Sequence, residues 1–166
     1  VHGRPRFTKD IDLVVSLATD KVLDFLRALA LGGFALQEED LASRLLAPGQ
    51  VGRAFFGDAS PAERLHIDVM IVLPGYEEHA LARAGRHTIL GVDFAVASAE
   101  DLLLSKIVSG RPIDFADAEG ILARKGPGLD LTYLRRWAGE LSLELARPDL
   151  TASLEALLAR GGLPPL

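Results

Sequence analysis

The sequence predicts an α+β fold: a mixed sheet with flanking helices over residues 1–97, followed by a helical C-terminal region over residues 98–166. Three observations predict it. Two short runs, Ile11–Ser16 and Arg64–Leu73, alternate apolar and polar residues with the period of a half-buried strand. After Ser98 the apolar positions fall three and four apart, and Gly110, Gly126-Pro127-Gly128, Pro148 and Gly161-Gly162 punctuate them. With 166 residues, 49% of them hydrophobic, the chain can bury the core of one domain, or of a small domain with a helical annex.

Along the chain, the strand Ile11–Ser16 leads to a helix over Lys21–Ala30, capped by Thr19 or Asp20. Its apolar stripe is Val22, Leu23, Phe25, Leu26 and Leu29, and Gly32-Gly33 ends it. Phe34–Gln37 reads as a short strand or turn and Glu38–Ser43 as a short helix. Val51–Phe56 and Arg64–Leu73 read as two strands joined by the turn-rich loop Gly57–Glu63. A short helix is expected over Glu77–Ala84, then a hairpin of His87–Leu90 and Val92–Val96 around Gly91. Ser98-Ala99-Glu100-Asp101 has the form of a capping box. It opens the first of four helices, expected at Ala99–Ser109, Phe115–Arg124, Leu131–Leu145 and Leu150–Arg160.

Composition narrows the function classes. The chain has no cysteine, which excludes disulfides, thiolate metal sites and cysteine nucleophiles. A net charge of −5 argues against an extended nucleic-acid footprint, which needs clustered Lys and Arg. No apolar run has the length of a membrane span, and the first residues lack a signal-peptide stretch, so a cytoplasmic protein with no membrane partner is expected.

The chemistry-bearing residues lie at the start. Asp10 and Asp12 are two apart, so a strand presents both carboxylates on one face while Ile11, Leu13 and Val15 point into a core. In Leu65–Val72, Asp68 lies between Ile67 and Val69, with Ile71 beyond, in a strand apolar enough to be central. If the two strands are neighbours, three carboxylates converge, and hard oxygen donors suit Mg²⁺. Such a group can hold two metal ions for a phosphoryl or nucleotidyl displacement. The competing reading for each acid is a solvated strand position. His66 shares the face of Asp68 and reads as a packing or hydrogen-bonding residue. Arg6 and Thr8 are placed to contact phosphate by charge-assisted and hydroxyl hydrogen bonds, and Arg4 reads as a surface turn residue. Lys106 lies beside an apolar helical stripe, where a snorkelling stem is the plain explanation. Asp114 reads as the cap of the helix at Phe115, and Asp117 as a first-turn acid favoured by the helix dipole.

The run from His2 to Val15, with its Gly-x-Pro-Arg-x-Thr-x-Asp-Ile-Asp-Leu-Val-Val pattern, is the most specific stretch. Together with His66-Ile67-Asp68 and Glu100–Glu140, it resembles the nucleotidyltransferase-like proteins of the AbiEii abortive-infection and toxin family, within the DNA polymerase beta-like nucleotidyltransferase superfamily. The resemblance implies a nucleotidyltransferase core in residues 1–97, with Asp10, Asp12 and Asp68 holding two Mg²⁺ ions. It also implies a lysine that faces the nucleotide, matched by Lys106, and an acid near that lysine, matched by Asp117 in Arg111-Pro112-Ile113-Asp114-Phe115-Ala116-Asp117. The family carries a Gly-Gly or Gly-Ser pair on a helix before the first carboxylate, and this chain, which starts at Val1, is expected to lack that helix. The implied activity is transfer of a nucleoside monophosphate from a nucleoside triphosphate to an acceptor hydroxyl. The acceptor could be a transfer RNA end, with a toxic outcome, or a small molecule. A cognate toxin or antitoxin partner is implied as well. The alternative is a non-catalytic binding or antitoxin-like protein on the same fold.

Overall fold

The computed structural model describes residues 10–36, 42, 45, 51–56, 65–72 and 75–164. The chain divides into two compact units, Arg6–Glu78 and His79–Leu166. The fold is a mixed α+β one, with a four-stranded mixed sheet and, among the described residues, six α-helices.

The first unit is built on the sheet. Its strands are β1 (Asp10–Val15), β2 (Phe34–Leu36), β3 (Gly52–Phe56) and β4 (Leu65–Ile71), in the spatial order β1-β4-β3-β2. β1 runs parallel to β4, and the other neighbours are antiparallel. Parallel strands need a long connection, and here the path from β1 to β4 carries α1 (Val22–Leu31), β2 and β3. The Val72 N–H donates to the Val15 carbonyl at 2.9 Å and extends the parallel ladder past β4.

One face of this sheet is the core. Ala54, Ile67 and Val69 are buried with Val22 and Leu26 of α1 and with Leu45, and Leu13, Val15, Phe34, Leu36 and Ile71 pack around them. The alternation expected for β1 and β4 holds, with one correction: Ile11, at the entry of β1, is exposed rather than in the core. Leu23 is likewise 56% exposed, because on a helix with 3.6 residues per turn Val22, Phe25, Leu26 and Leu29 share a side that position 23 leaves. Neither Thr19 nor Asp20 caps α1; a single 3₁₀ turn, Thr19–Lys21, leads into it. After α1, Gly33 takes φ +89°, and a β-carbon there would lie 3.3 Å from the Phe56 ring, so both backbone and space favour glycine. The short helix expected over Glu38–Ser43 lies largely outside the described residues, as does the loop Gly57–Glu63.

The break between the units falls inside α2 (Tyr76–Ala82). The second unit contains the hairpin β5 (Gly85–Ile89) and β6 (Val92–Val96). Its turn places Leu90 and Gly91 at φ +52° and +78°, the backbone of a two-residue hairpin turn with both central residues left-handed. Four helices follow: α3 (Ala99–Ser109), α4 (Pro112–Lys125), α5 (Leu131–Glu144) and α6 (Asp149–Arg160). Leu103, Leu104 and Ile107 of α3 are buried, as are Ile121 of α4, Leu134 and Leu141 of α5 and Leu150, Leu154, Leu157 and Leu158 of α6. The buried positions of α3 and α6 follow the three-and-four spacing of a single helix face, and Leu134 and Leu141 of α5 lie two turns apart on one.

The helix ends explain the boundaries. The Ser98 hydroxyl oxygen accepts from the Asp101 N–H at 3.1 Å, so the cap expected there forms. α3 ends at Gly110 in the left-handed conformation, φ +69°, with its N–H donating to the Lys106 carbonyl. α4 starts three residues earlier than expected, because Pro112 fits the first helical position, where no amide hydrogen is needed. No helix among the described residues is long and apolar enough to cross a membrane.

Candidate functional site

The register of the first sheet brings the predicted carboxylates together. Asp12 of β1 lies opposite Asp68 of β4, and Asp10 lies opposite His66. Residues in register on neighbouring strands share a face. Asp10, Asp12, His66 and Asp68 therefore stand on one side of the sheet, opposite the core of Ile67 and Val69. His66 packs on the Phe55 ring, with centroids 5.7 Å apart, in keeping with a packing role. Arg4, Arg6 and Thr8 lie outside the described residues.

The sequence reading missed Arg53. On β3 it lies opposite Asp68, and its guanidinium donates from Nε to Oδ1 and from Nη2 to Oδ2, both at 2.6 Å. The fork of an arginine matches the two oxygens of a carboxylate, so this is a charge-assisted bidentate pair. Its consequence is electrostatic. The hydrogen bonds from Arg53 hold the Asp68 carboxyl below the usual carboxylate range, more than offsetting the upward push of burial. Conversely, the bond to Asp68 raises the Arg53 pKa, with the charges of Asp68, Asp10 and Asp12 adding to it. All three carboxylates thus act on one guanidinium. Arg53 had a faint signal, as the one charged residue within Val51–Phe56, but only the β3–β4 register shows which residue it meets.

The donor set suits Mg²⁺ in kind: three hard carboxylates on adjacent strands of one face. A closed coordination group is not formed, since among the described residues no three His, Asp or Glu side chains stand close enough to hold a metal. Both oxygens of Asp68 accept from Arg53.

Lys106 and Asp117 belong to the helical unit. The Lys106 ammonium lies 3.1 Å from Asp114 and 3.6 Å from Asp117. The acid near the lysine is thus present, but Asp114 is the closer one. Asp114 does not cap α4, as the sequence suggested; it is the third helical residue, and Arg111 holds the cap position. Asp114 is only 1% exposed and accepts from Ser109 Oγ at 2.8 Å, from Lys106 and from two nitrogens of Arg111. Burial pushes its carboxyl up, but hydrogen bonds from Arg111, Ser109 and Lys106 outweigh that and hold it far below the ordinary range.

A second buried network lies at the start of α3. Tyr133 donates its hydroxyl to Asp101 at 2.6 Å, and the Arg83 guanidinium lies 3.9 Å from the Tyr133 ring centre. Burial and the bond to Asp101 push the Tyr133 phenol well above its ordinary value. Glu100 accepts the Asp130 N–H at 3.0 Å. Glu100 and Asp101, read in the sequence only as part of a cap, join α3 to α5. Comparison with known proteins finds no family model and no characterised protein that matches this chain.

Proposed function

We propose that the chain is a Mg²⁺-dependent nucleotidyltransferase, moving a nucleoside monophosphate from a nucleoside triphosphate to an acceptor hydroxyl. The observation that carries this reading is the register of Asp12 with Asp68, with Asp10 on the same face. Asp10, Asp12 and Asp68 are the candidate ligands through hard carboxylate oxygens, and they would have to draw closer together than they stand to hold one ion. Bound Mg²⁺ supplies charge stabilisation at the attacking and leaving oxygens of such a displacement. Asp68 would serve as a ligand on the acceptor side, its carboxylate paired with Arg53. The resemblance of His2–Val15 to the AbiEii family supports the reaction class, and with it a transfer RNA end or a small molecule as acceptor.

One observation favours a second reading, a non-catalytic binding or antitoxin-like protein on the same fold: Asp68 is neutralised by a side chain of its own sheet. Calorimetric titration of ATP, GTP, CTP and UTP, with and without Mg²⁺, separates the two. Mg²⁺-dependent binding that is lost in the Asp10→Ala, Asp12→Ala double variant, with the thermal transition unchanged, is the expected result for the enzyme. No binding of any nucleotide, or binding indifferent to Mg²⁺ and to the double substitution, rejects it.

A further inference from the structure

We infer that the hairpin β5–β6 is an interaction surface, and that its partner is the same hairpin of a second copy of this chain. The two strands form a sheet of their own, with no third strand beside them among the described residues. A lone two-stranded sheet is marginally stable in water, and a self-sufficient one needs a further strand or a packed face. Residues paired across the ladder share a face, as do residues two apart, so Ile89, Val92 and Phe94 lie together on one side. Each of the three is about half exposed, and Leu90 at the tip is fully exposed.

The outer edge of β6 selects the occupant. Ile89 and Val92 flank the two-residue turn as a hydrogen-bonded pair, and such pairs alternate along an antiparallel ladder. The N–H and C=O groups of Asp93 and Ala95 therefore point away from β5. Natural proteins guard such an edge with lysine, proline or a bulge. β6 has neither lysine nor proline. Its one charged side chain, Asp93, accepts from Thr88 Oγ1 of its own partner strand at 2.6 Å. The outer edge of β5, by contrast, carries Arg86. Phe94 is the middle residue of β6. A twofold axis there sets Phe94 against Phe94 of the second copy, Val92 against Val96 and Asp93 against Ala95. Asp93 and Ala95 then exchange main-chain hydrogen bonds on both sides of the axis, and no two charges stand opposite each other. An axis at Asp93 would oppose two carboxylates, and an axis at Ala95 would run the pairing past Val96, where β6 ends. The product is one sheet of both hairpins, with Val92, Phe94 and Val96 in contact across the axis. One short strand edge is a small interface, so the dimer is weak and depends on concentration.

Sedimentation velocity of the full chain over a wide range of concentration tests this, with each variant checked for an unchanged circular dichroism spectrum. The mean mass of the parent is expected to rise towards twice the monomer value. Ala95→Pro removes an outward N–H that β5 does not use, and is expected to abolish the rise. Ala95→Asp opposes two acids on each side of the axis, while inside the hairpin position 95 faces Arg86 and favours an acid. It is expected to weaken the dimer about tenfold. Asp93→Lys combined with Ala95→Asp restores opposite charges across the axis, and is expected to recover the parent's affinity. The chain has no cysteine, so Phe94→Cys reports the register directly. On the axis its Cα atoms would stand about 4.5 Å apart, within reach of a disulfide, and mild oxidation is expected to give a covalent dimer. Ala95→Cys, set against Asp93, is expected to give none. A parent that stays monomeric at every concentration overturns the inference. A dimer that persists unchanged in Ala95→Pro and Ala95→Asp overturns it too, since the contact is then elsewhere. Cross-linking of Ala95→Cys as readily as of Phe94→Cys rejects the pairing about Phe94.

Discussion

Two acidic clusters, one in each unit, put similar residue types to different use. On the sheet, Asp68 is held by one arginine at the surface, with Asp10 and Asp12 on the same exposed face. In the helical unit, Asp114 is almost wholly buried, with Lys106, Arg111 and Ser109 closing around it. A buried carboxylate has no water to fall back on, so each donor it loses is felt as a desolvation cost. A partly exposed pair, with solvent beside its arginine, can exchange its partner for water at lower cost. Burial therefore separates a cluster that braces α3 against α4 from a cluster with one side open to solvent. The depressed carboxyl of Asp114 is on this view a mark of structure.

The substitution expected to divide the clusters most sharply is Asp114→Ala. It leaves Lys106 and Arg111 facing an emptied, buried position and should cost ~3–5 kcal/mol, read as a large fall in the thermal transition. The same residue predicts a pH dependence. Its folded-state pKa lies below the unfolded value, so the unfolded chain takes up the proton first as the pH falls. The stabilisation is complete above about pH 5, is lost as the pH drops below about 4 towards the folded-state pKa, and should be missing from the acid-unfolding curve of Asp114→Ala. A fall in stability of less than ~1 kcal/mol would erase the distinction between the clusters.

Lys106→Met comes next. It removes one donor of Asp114 and keeps an apolar stem, for an expected loss of ~1–2 kcal/mol in denaturant unfolding. The smallest effect is expected from Arg53→Met. Its pair with Asp68 is close to half exposed on the arginine side, so solvent screening leaves ~0–1 kcal/mol of stability. A destabilisation by Arg53→Met as large as that by Asp114→Ala would place both clusters among the structural ones.

Particular residues show how far the sequence can be read. Asp10 and Asp12 were legible as same-face residues, and Asp68 as alternating with Ile67 and Val69, because alternation along a strand is a local property of the backbone. The hairpin at Gly91 and the cap at Ser98 were legible for the same reason, since turn and cap chemistry act over three or four residues. Arg53 was not legible as a partner, being fifteen residues from Asp68 across the β3–β4 connection. Asp114 was misread because its distance from Phe115 suits a cap, while Pro112, two residues earlier, starts the helix sooner. Glu100 and Asp101 looked like a helix start and no more, because Asp130 and Tyr133 lie thirty and thirty-two residues away.

By itself the sequence determined which residues alternate, which helices have an apolar side, and that three carboxylates sit on strands rather than in loops. Each of these follows from neighbours a few positions apart, where sterics and spacing act directly. Only the tertiary structure decided that β1 runs beside β4, that Asp12 meets Asp68, and that Arg53 reaches the same carboxylate from the other side. Strand pairing and register come from the burial of a whole face at once, since a slip of one residue would turn Ile67 and Val69 to solvent and Asp68 into the core.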